Sequence, residues 1–473
     1  MKSTSASPRW PEQARFYLLI GLLIGCCLWG GGSRVDIPGL IFLQPLAILL
    51  TAAIVAIPGE IRWTAIRVPL LFLAALALLI AIQLVPLPPE WWAQLPGHAP
   101  FAEILRVAGV EPVWRPISLT PDLTLASLVG LVIPAAALVG FAAISEEQGH
   151  RLLPWLLGIA GFSAVLGVAQ AISGENSPLY LYSITNKGAA VGLFSNRNHE
   201  AVFLAAAFPM LAVWVARPVR LPTLRTLKIW VAGAASMFLV LATAMTGSRA
   251  GLGLMVVAIG CAWLLWRRSG VRLIKTNSRL PWLSAVVPVI GISVLVAIGI
   301  LVSRSEAVQR LFGLTVAEDA RVEAMPVLLT MIGDFFPLGS GFGSFDPVFR
   351  HYEPTAMLRG TYFNHAHNDL IELAITGGLP ALLLMLAFLI WATTAFLASM
   401  RRGKSSAAQF AGFSTATIAI MLMSSIVDYP LRTPLVAVFF ALACAWLAQA
   451  SANRGAARSS TEGKLLYDEV ERR

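Results

Sequence analysis

Charge is scarce in this chain. Only 13% of its 473 residues are Asp, Glu, Lys or Arg and 57% are apolar, where an ordinary soluble domain is about a quarter charged. That excludes a water-soluble globular protein and leaves an integral membrane protein. Cysteine is nearly absent. Cys26, Cys27, Cys261 and Cys444 all lie inside apolar runs, as buried small hydrophobes do, which argues against a disulfide framework or a cysteine zinc site. Acidic residues are outnumbered, giving a net charge of +10. In a polytopic chain such an excess reflects Lys and Arg kept in cytoplasmic connections, so it implies no nucleic-acid partner. Trp214, Trp230, Trp266 and Trp282 flank the basic loops as an interfacial aromatic belt would, rather than as base-stacking platforms. Histidine is rare too, at six residues. Two of them, His365 and His367, fall in Asn364-His-Ala-His-Asn-Asp369, where a long polar loop runs into an apolar segment starting at Leu370. Ionisable groups are costly at a membrane boundary, so this cluster is a candidate functional site.

The apolar runs predict an all-α polytopic membrane protein. Runs of about 17 to 25 residues give twelve candidate spans, roughly 16–32, 37–57, 66–85, 122–144, 152–172, 199–216, 229–246, 250–266, 281–302, 370–398, 408–427 and 434–450. The first follows Lys2, Arg9 and Arg15 like a signal peptide, but no clear small-x-small cleavage site follows, so it reads as a retained span. The chain divides into nine spans over 1–302, a loop over 303–369, three spans over 370–450 and a tail over 451–473. No internal repeat is evident, which weakens an inverted-repeat transporter reading. The clusters Arg217/Arg220/Arg225/Lys228, Arg267/Arg268/Arg272/Lys275/Arg279 and Arg401/Arg402/Lys404, with the tail from Arg454, fall on one side. The positive-inside rule then puts both termini in the cytoplasm and the loops 86–121, 173–198 and 303–369 outside.

The longest outer loop carries Val322, Met325, Leu329, Ile332 and Phe336 at helical spacing, predicting an amphipathic helix that turns this stripe to lipid or to the bundle. Pro337-Leu-Gly-Ser-Gly-Phe-Gly-Ser-Phe345 follows. Without a strand-to-helix context it is no dinucleotide fingerprint, and a plain turn is a better reading than a phosphate-contacting loop.

The predicted topology brings distant residues to one face: Arg197 and His199 at the end of the second loop, Arg249 in a tight turn, Arg321 on the amphipathic helix, His365 and His367, and Asp428 and Arg432 in the last outer turn. An arginine in so short a hairpin asks for an anion. Guanidinium presents a planar fork to phosphate oxygens, and a lipid-linked diphosphate would place its head group at this boundary. Such a leaving group does not oblige a metal. A neutral histidine beside it would accept the proton of an attacking hydroxyl. Each residue also has a plainer reading. Arg249 is then a snorkelling anchor, Arg197 an interface marker, Arg321 a helix-surface charge and His199 an interfacial first-turn residue. Asp428 with Arg432 becomes a solvated ion pair, and Asn368 or Asp369 a helix cap. His365, His367 and Asp369 alternate like the metal box of metallo-β-lactamase-like hydrolases, but Leu370 stands at the closing position, so no metal site is expected.

The segments Gly192-Leu-Phe-Ser-Asn-Arg-Asn-His199 and Thr246-Gly-Ser-Arg-Ala-Gly251, and the loop from Arg321 through His-Asn to Gly377-Gly-Leu379, resemble the bacterial O-antigen ligase and O-antigen polymerase superfamily over about 190–430. The first third of the chain carries no matching motif. The resemblance implies a glycosyltransferase of the bacterial inner membrane that uses an undecaprenyl-diphosphate-linked glycan at the periplasmic face, without cofactor or metal. The acceptor is a hydroxyl of the lipid A core, of another lipid-linked glycan, or of a protein. It further implies Arg197 and Arg249 as diphosphate-binding residues, with Arg321 assisting, and His367 or its neighbour His365 as the catalytic histidine. A flippase for a lipid-linked glycan and a non-catalytic partner of an export complex are the rival readings.

Overall fold

The computed structural model describes residues 10–34, 36–219, 221–270, 316–358, 363–401 and 405–452. Backbone polar groups cannot go unpaired in hydrocarbon, so each long apolar run closes its hydrogen bonds as a helix. The chain opens with α1 (Trp10–Trp29), α2 (Gly39–Ala56) and α3 (Trp63–Ile82). A short excursion follows: β1 (Pro86–Leu87), α4 (Pro89–Ala93), α5 (Ala99–Val107) and β2 (Arg115–Pro116), with the strands paired antiparallel. Then come α6 (Pro121–Gly130), α7 (Val132–Ala142), α8 (Glu146–Ser173), α9 (Arg197–Ala216), α10 (Pro222–Met245) and α11 (Arg249–Ser269). After the undescribed stretch stand α12 (Val316–Phe335), α13 (Phe345–Tyr352), α14 (Asp369–Met400), α15 (Ser406–Ser424) and α16 (Pro434–Ala452). Among the described residues eleven helical stretches are long and apolar enough to cross a membrane, α6 and α7 counting as one. Each coincides with an expected span. The twelfth, 281–302, lies outside the described residues, as does most of the tail.

Local chemistry sets the ends. Ser145 and Gln148 form a reciprocal capping box that starts α8. Pro134 has no N–H to offer the carbonyl four residues back, and the expected span 122–144 is divided there at Leu131. Asn368 Oδ1 accepts from Leu370 N at 3.0 Å and Ile371 N at 3.1 Å, so Asn368 is the cap of α14.

Burial orders the bundle. α9 and α16 are enclosed over 78% of their spans, whereas α2 is enclosed over 17%, so α9 and α16 form the axis and α2 faces lipid. Phe203 and Phe439 join the two axial helices with ring centroids 4.6 Å apart. α9 and α11 cross closely at their starts: a Cβ on Gly251 would lie 2.3 Å from that of Ala201. Gly251→Ala therefore forces the two helix starts apart, at a cost of about 1–3 kcal/mol. Ala201→Gly in the same protein should restore the lost thermal stability, and no recovery would show that this contact is not what Gly251 serves.

On α12 the expected stripe takes the outer of its two open placements. Ala324, Leu328, Met331 and Phe335 are its buried residues, against Phe345, Phe349 and Ile375. Val322 and Leu329 of the expected stripe are 75% and 57% exposed. The helix is apolar on two sides, and the outer one is the side available to lipid.

The glycine-rich turn is structural. Gly339, Gly341 and Gly343 have φ of +81°, +109° and +83°, which only glycine adopts readily. Ser340 N and Gly341 N donate to the carbonyls of Ile375 and Thr376, and Phe342 N donates to Gln83 Oε1. These amides are spent, the first two against α14, where Gly378 breaks the helix with φ +62°, and the third on the residue that follows α3. The plain-turn reading holds.

Candidate functional site at the loop end of the bundle

Asp428 is the hub. It lies in the turn between α15 and α16, only 1% exposed. Its Oδ2 accepts from Asn198 Nδ2 at 2.6 Å and its Oδ1 from Tyr429 N at 3.0 Å. Oδ1 also lies 3.5 Å from His367 Nδ1 and 3.8 Å from His199 Nε2. Burial pushes this carboxyl up, but the hydrogen bonds and charge of His199 and His367 prevail and hold it well below the usual carboxylate range. Asp428 thus stays ionised among imidazoles.

His367 has a backbone φ of +51°, a region that non-glycine residues seldom occupy and that recurs at functional sites. Its Nδ1 receives Arg321 Nη2 at 2.9 Å. Burial depresses its pKa below the ordinary 6.5; Asp428 opposes that, while Arg321 and His365 add to it. The ring is neutral at physiological pH. A neutral imidazole with a carboxylate behind it can accept a proton from a hydroxyl.

His365 belongs to a second network. Its Nδ1 donates to Glu372 Oε1 at 3.0 Å, and Glu372 Oε2 accepts from Ala366 N at 2.8 Å. Arg432 reaches Asp369 through Nε at 3.0 Å and Glu372 through Nη2 at 3.1 Å. Tyr429 fills the space between the networks, with ring centroids 4.3 Å from His365, 5.0 Å from His367 and 5.2 Å from His199.

Three of the plainer readings fail here. Asp428 and Arg432 are no solvated pair: Asp428 is buried among histidines, and Arg432 turns to Asp369 and Glu372. His199 is no interfacial residue. It is fully buried, with Thr433 Oγ1 2.9 Å from its Nδ1. Nor is Arg321 a mere surface charge, since it reaches both His367 and the Val427 carbonyl, the latter at 3.2 Å. His365, His367 and Asp369 diverge to different partners, and among the described residues no cluster of three His, Cys, Asp or Glu is arranged to hold a metal.

Arg197 and Arg249 are each the first residue of a helix, behind the caps Asn196 and Ser248. A Cβ on Gly247 would lie 3.8 Å from Arg197 Nη1, so the Arg197 head group adjoins the turn that carries Arg249. A cation at a helix start opposes the macrodipole, and the first amides are already engaged: Arg197 N donates to Asn186 Oδ1, Asn198 N to Asn196 Oδ1 and Gly251 N to Ser248 Oγ, so an anion here would meet the guanidinium groups. Through Asn198 and Asp428 this arginine-bearing end connects to His367 and Arg321. The sequence reading missed Glu372, Tyr429, Asn198 and Thr433. Glu372 left a signal, as a carboxylate one turn inside an apolar helix that demands buried partners.

Fold and site together define a multi-pass, all-α membrane protein with a buried imidazole–carboxylate–guanidinium cluster at one end of its bundle. Residues 234–386 match the family model described as O-antigen ligase, and the match supports the O-antigen ligase and polymerase superfamily, whose members are enzymes acting on glycans at a membrane. The matched stretch holds Arg249, Arg321, His365 and His367, but neither Arg197 nor Asp428. No curated protein matches the chain.

Proposed function

We propose that this protein transfers a glycan from an undecaprenyl-diphosphate carrier to an acceptor hydroxyl at the periplasmic face of the bacterial inner membrane, with both termini cytoplasmic. One observation carries the reading: His367, backed by Asp428 at 3.5 Å and Arg321 at 2.9 Å, lies at the bundle end where Arg197 and Arg249 open their helices. The carrier's chain lies in the bilayer and its diphosphate docks on Arg197 and Arg249, with Arg321 beside them. The acceptor oxygen attacks the anomeric carbon as the bond from that carbon to the diphosphate oxygen breaks, inverting the centre. The arginines take the charge that gathers on the leaving diphosphate. His367 accepts the hydroxyl proton at Nε2. Asp428 orients the ring and stabilises the imidazolium. His365, engaged by Glu372, is a support rather than the base. A flippase draws no support, because the described ionisable cluster sits at helix ends and not across mid-span.

Surface polysaccharide in a null strain tests this reading. Carrier-linked chains accumulating unattached would identify a lipid A core acceptor, and single repeat units would identify a second lipid-linked glycan. Unchanged polysaccharide would overturn the reading. The pH dependence follows from His367. The neutral base persists to below the ordinary histidine value of 6.5, so transfer is lost only as pH falls through that lowered pKa. Asp428→Asn withdraws the influence that raises the pKa. The acid limb should move to lower pH, and the plateau should fall by no more than the about 10²–10⁴-fold that a general base contributes. A limb that moved upward would refute the partnership.

A further inference from the structure

One nitrogen of His367 faces two partners with opposite demands. Nδ1 is 2.9 Å from Arg321 Nη2 and 3.5 Å from Asp428 Oδ1. Arginine can only donate and an ionised carboxylate can only accept, so Nδ1 serves one of them at a time. The shorter contact belongs to Arg321. Nδ1 then offers its lone pair, and a neutral ring carries its proton on Nε2. In that tautomer Nε2 has no lone pair for an incoming hydroxyl.

Resting on the diphosphate-transfer reading above, we propose that Arg321 is a positioning residue that sets the tautomer of His367, and that the donor's diphosphate releases it. When phosphate oxygens draw the guanidinium away, Nδ1 is free to carry a proton toward Asp428 Oδ1, and Nε2 gives up its own. The exchange passes through water, one proton lost at Nε2 and one gained at Nδ1, with no change in net charge. The base is thereby armed only once a donor is seated. An acceptor that arrives first meets an imidazole that cannot deprotonate it. The surroundings suit a two-position switch. Arg321 is anchored on α12 and also holds the Val427 carbonyl, next to Asp428. The imidazole is fixed between Phe363 and Tyr429 by edge-to-face and tilted ring contacts, so the hydrogen-bond partner changes without the ring having to leave its place.

The test is nitrogen-15 NMR of histidine-labelled full-length protein in lipid vesicles, with His367→Gln used to assign the resonance. Wild type should show protonated Nε2. Undecaprenyl diphosphate, the probe, should convert His367 to protonated Nδ1. Arg321→Met, which removes the donor, should show protonated Nδ1 without any probe, while Arg321→Lys, still a cation that only donates, should retain protonated Nε2. Protonated Nδ1 in the wild type alone, or an Arg321→Met spectrum like wild type, overturns the inference. Binding of the probe is followed separately by its own phosphorus signal. If the probe binds and the tautomer stays, the switch fails and the transferase reading stands. If the probe does not bind, the donor assignment fails, and the Arg321→Met spectrum still decides whether Arg321 sets the tautomer.

Discussion

Replacing His367 by alanine should lower glycan transfer about 10²–10⁴-fold, the contribution of a positioned general base, while leaving the protein folded and inserted. The fold survives because Asp428 keeps Asn198, the Tyr429 amide and His199 when the ring is removed, so no buried charge is orphaned. Rates from purified protein and surface polysaccharide in a complemented null strain both read the effect. His365→Ala is the paired control. Glu372 would still hold Arg432 and the Ala366 amide, and the expected loss is much smaller. If His365→Ala abolished transfer and His367→Ala did not, the roles given to the two histidines would be reversed.

Arg197→Ala and Arg249→Ala should each lower the maximal rate about 10²–10³-fold, as removal of one preorganised donor to a developing anion does. Lysine should restore little at either position, because a point charge cannot reproduce the two-pronged contact with phosphate oxygens. The loss should appear in the rate per folded molecule, with unfolding temperature and membrane insertion followed in parallel. That combination separates the proposed role from a snorkelling anchor. An anchor's loss would shift unfolding or insertion and leave the rate per folded molecule unchanged.

Much of the fold was legible because hydrocarbon permits so few solutions. An apolar run such as 434–450 has no means of satisfying its backbone except as a helix, and α16 forms there. The Asn368 cap was legible for a similar local reason, an amide side chain standing immediately before an apolar helix. Which way the apolar stripe of α12 would turn, to lipid or to the bundle, was not. Both sides of the helix are apolar, so the stripe of Val322 and Leu329 looked as suitable for packing as that of Leu328 and Met331. The choice fell to the shape of the surface formed by α13 and α14.

The site divides in the same way. Arg197, Arg249, Arg321 and the two histidines stood out as residue types that a membrane boundary does not tolerate without cause. The role of Asp428 did not, because an aspartate four residues before an arginine in a short turn looks like a local pair. Its true neighbours, Asn198, His199 and His367, come from segments more than 60 residues away in sequence.

Composition and spacing were enough to establish a multi-pass helical chain, the positions of its described spans and the charged groups gathered at their ends, because solvation energy acts on each segment separately. Which histidine meets a carboxylate, which arginine occupies its nitrogen, and which carboxylates Arg432 neutralises were settled by how α9, α12, α14 and the turn before α16 come together. Such pairings depend on distances of a few ångströms between remote segments, and local sequence carries no measure of those distances.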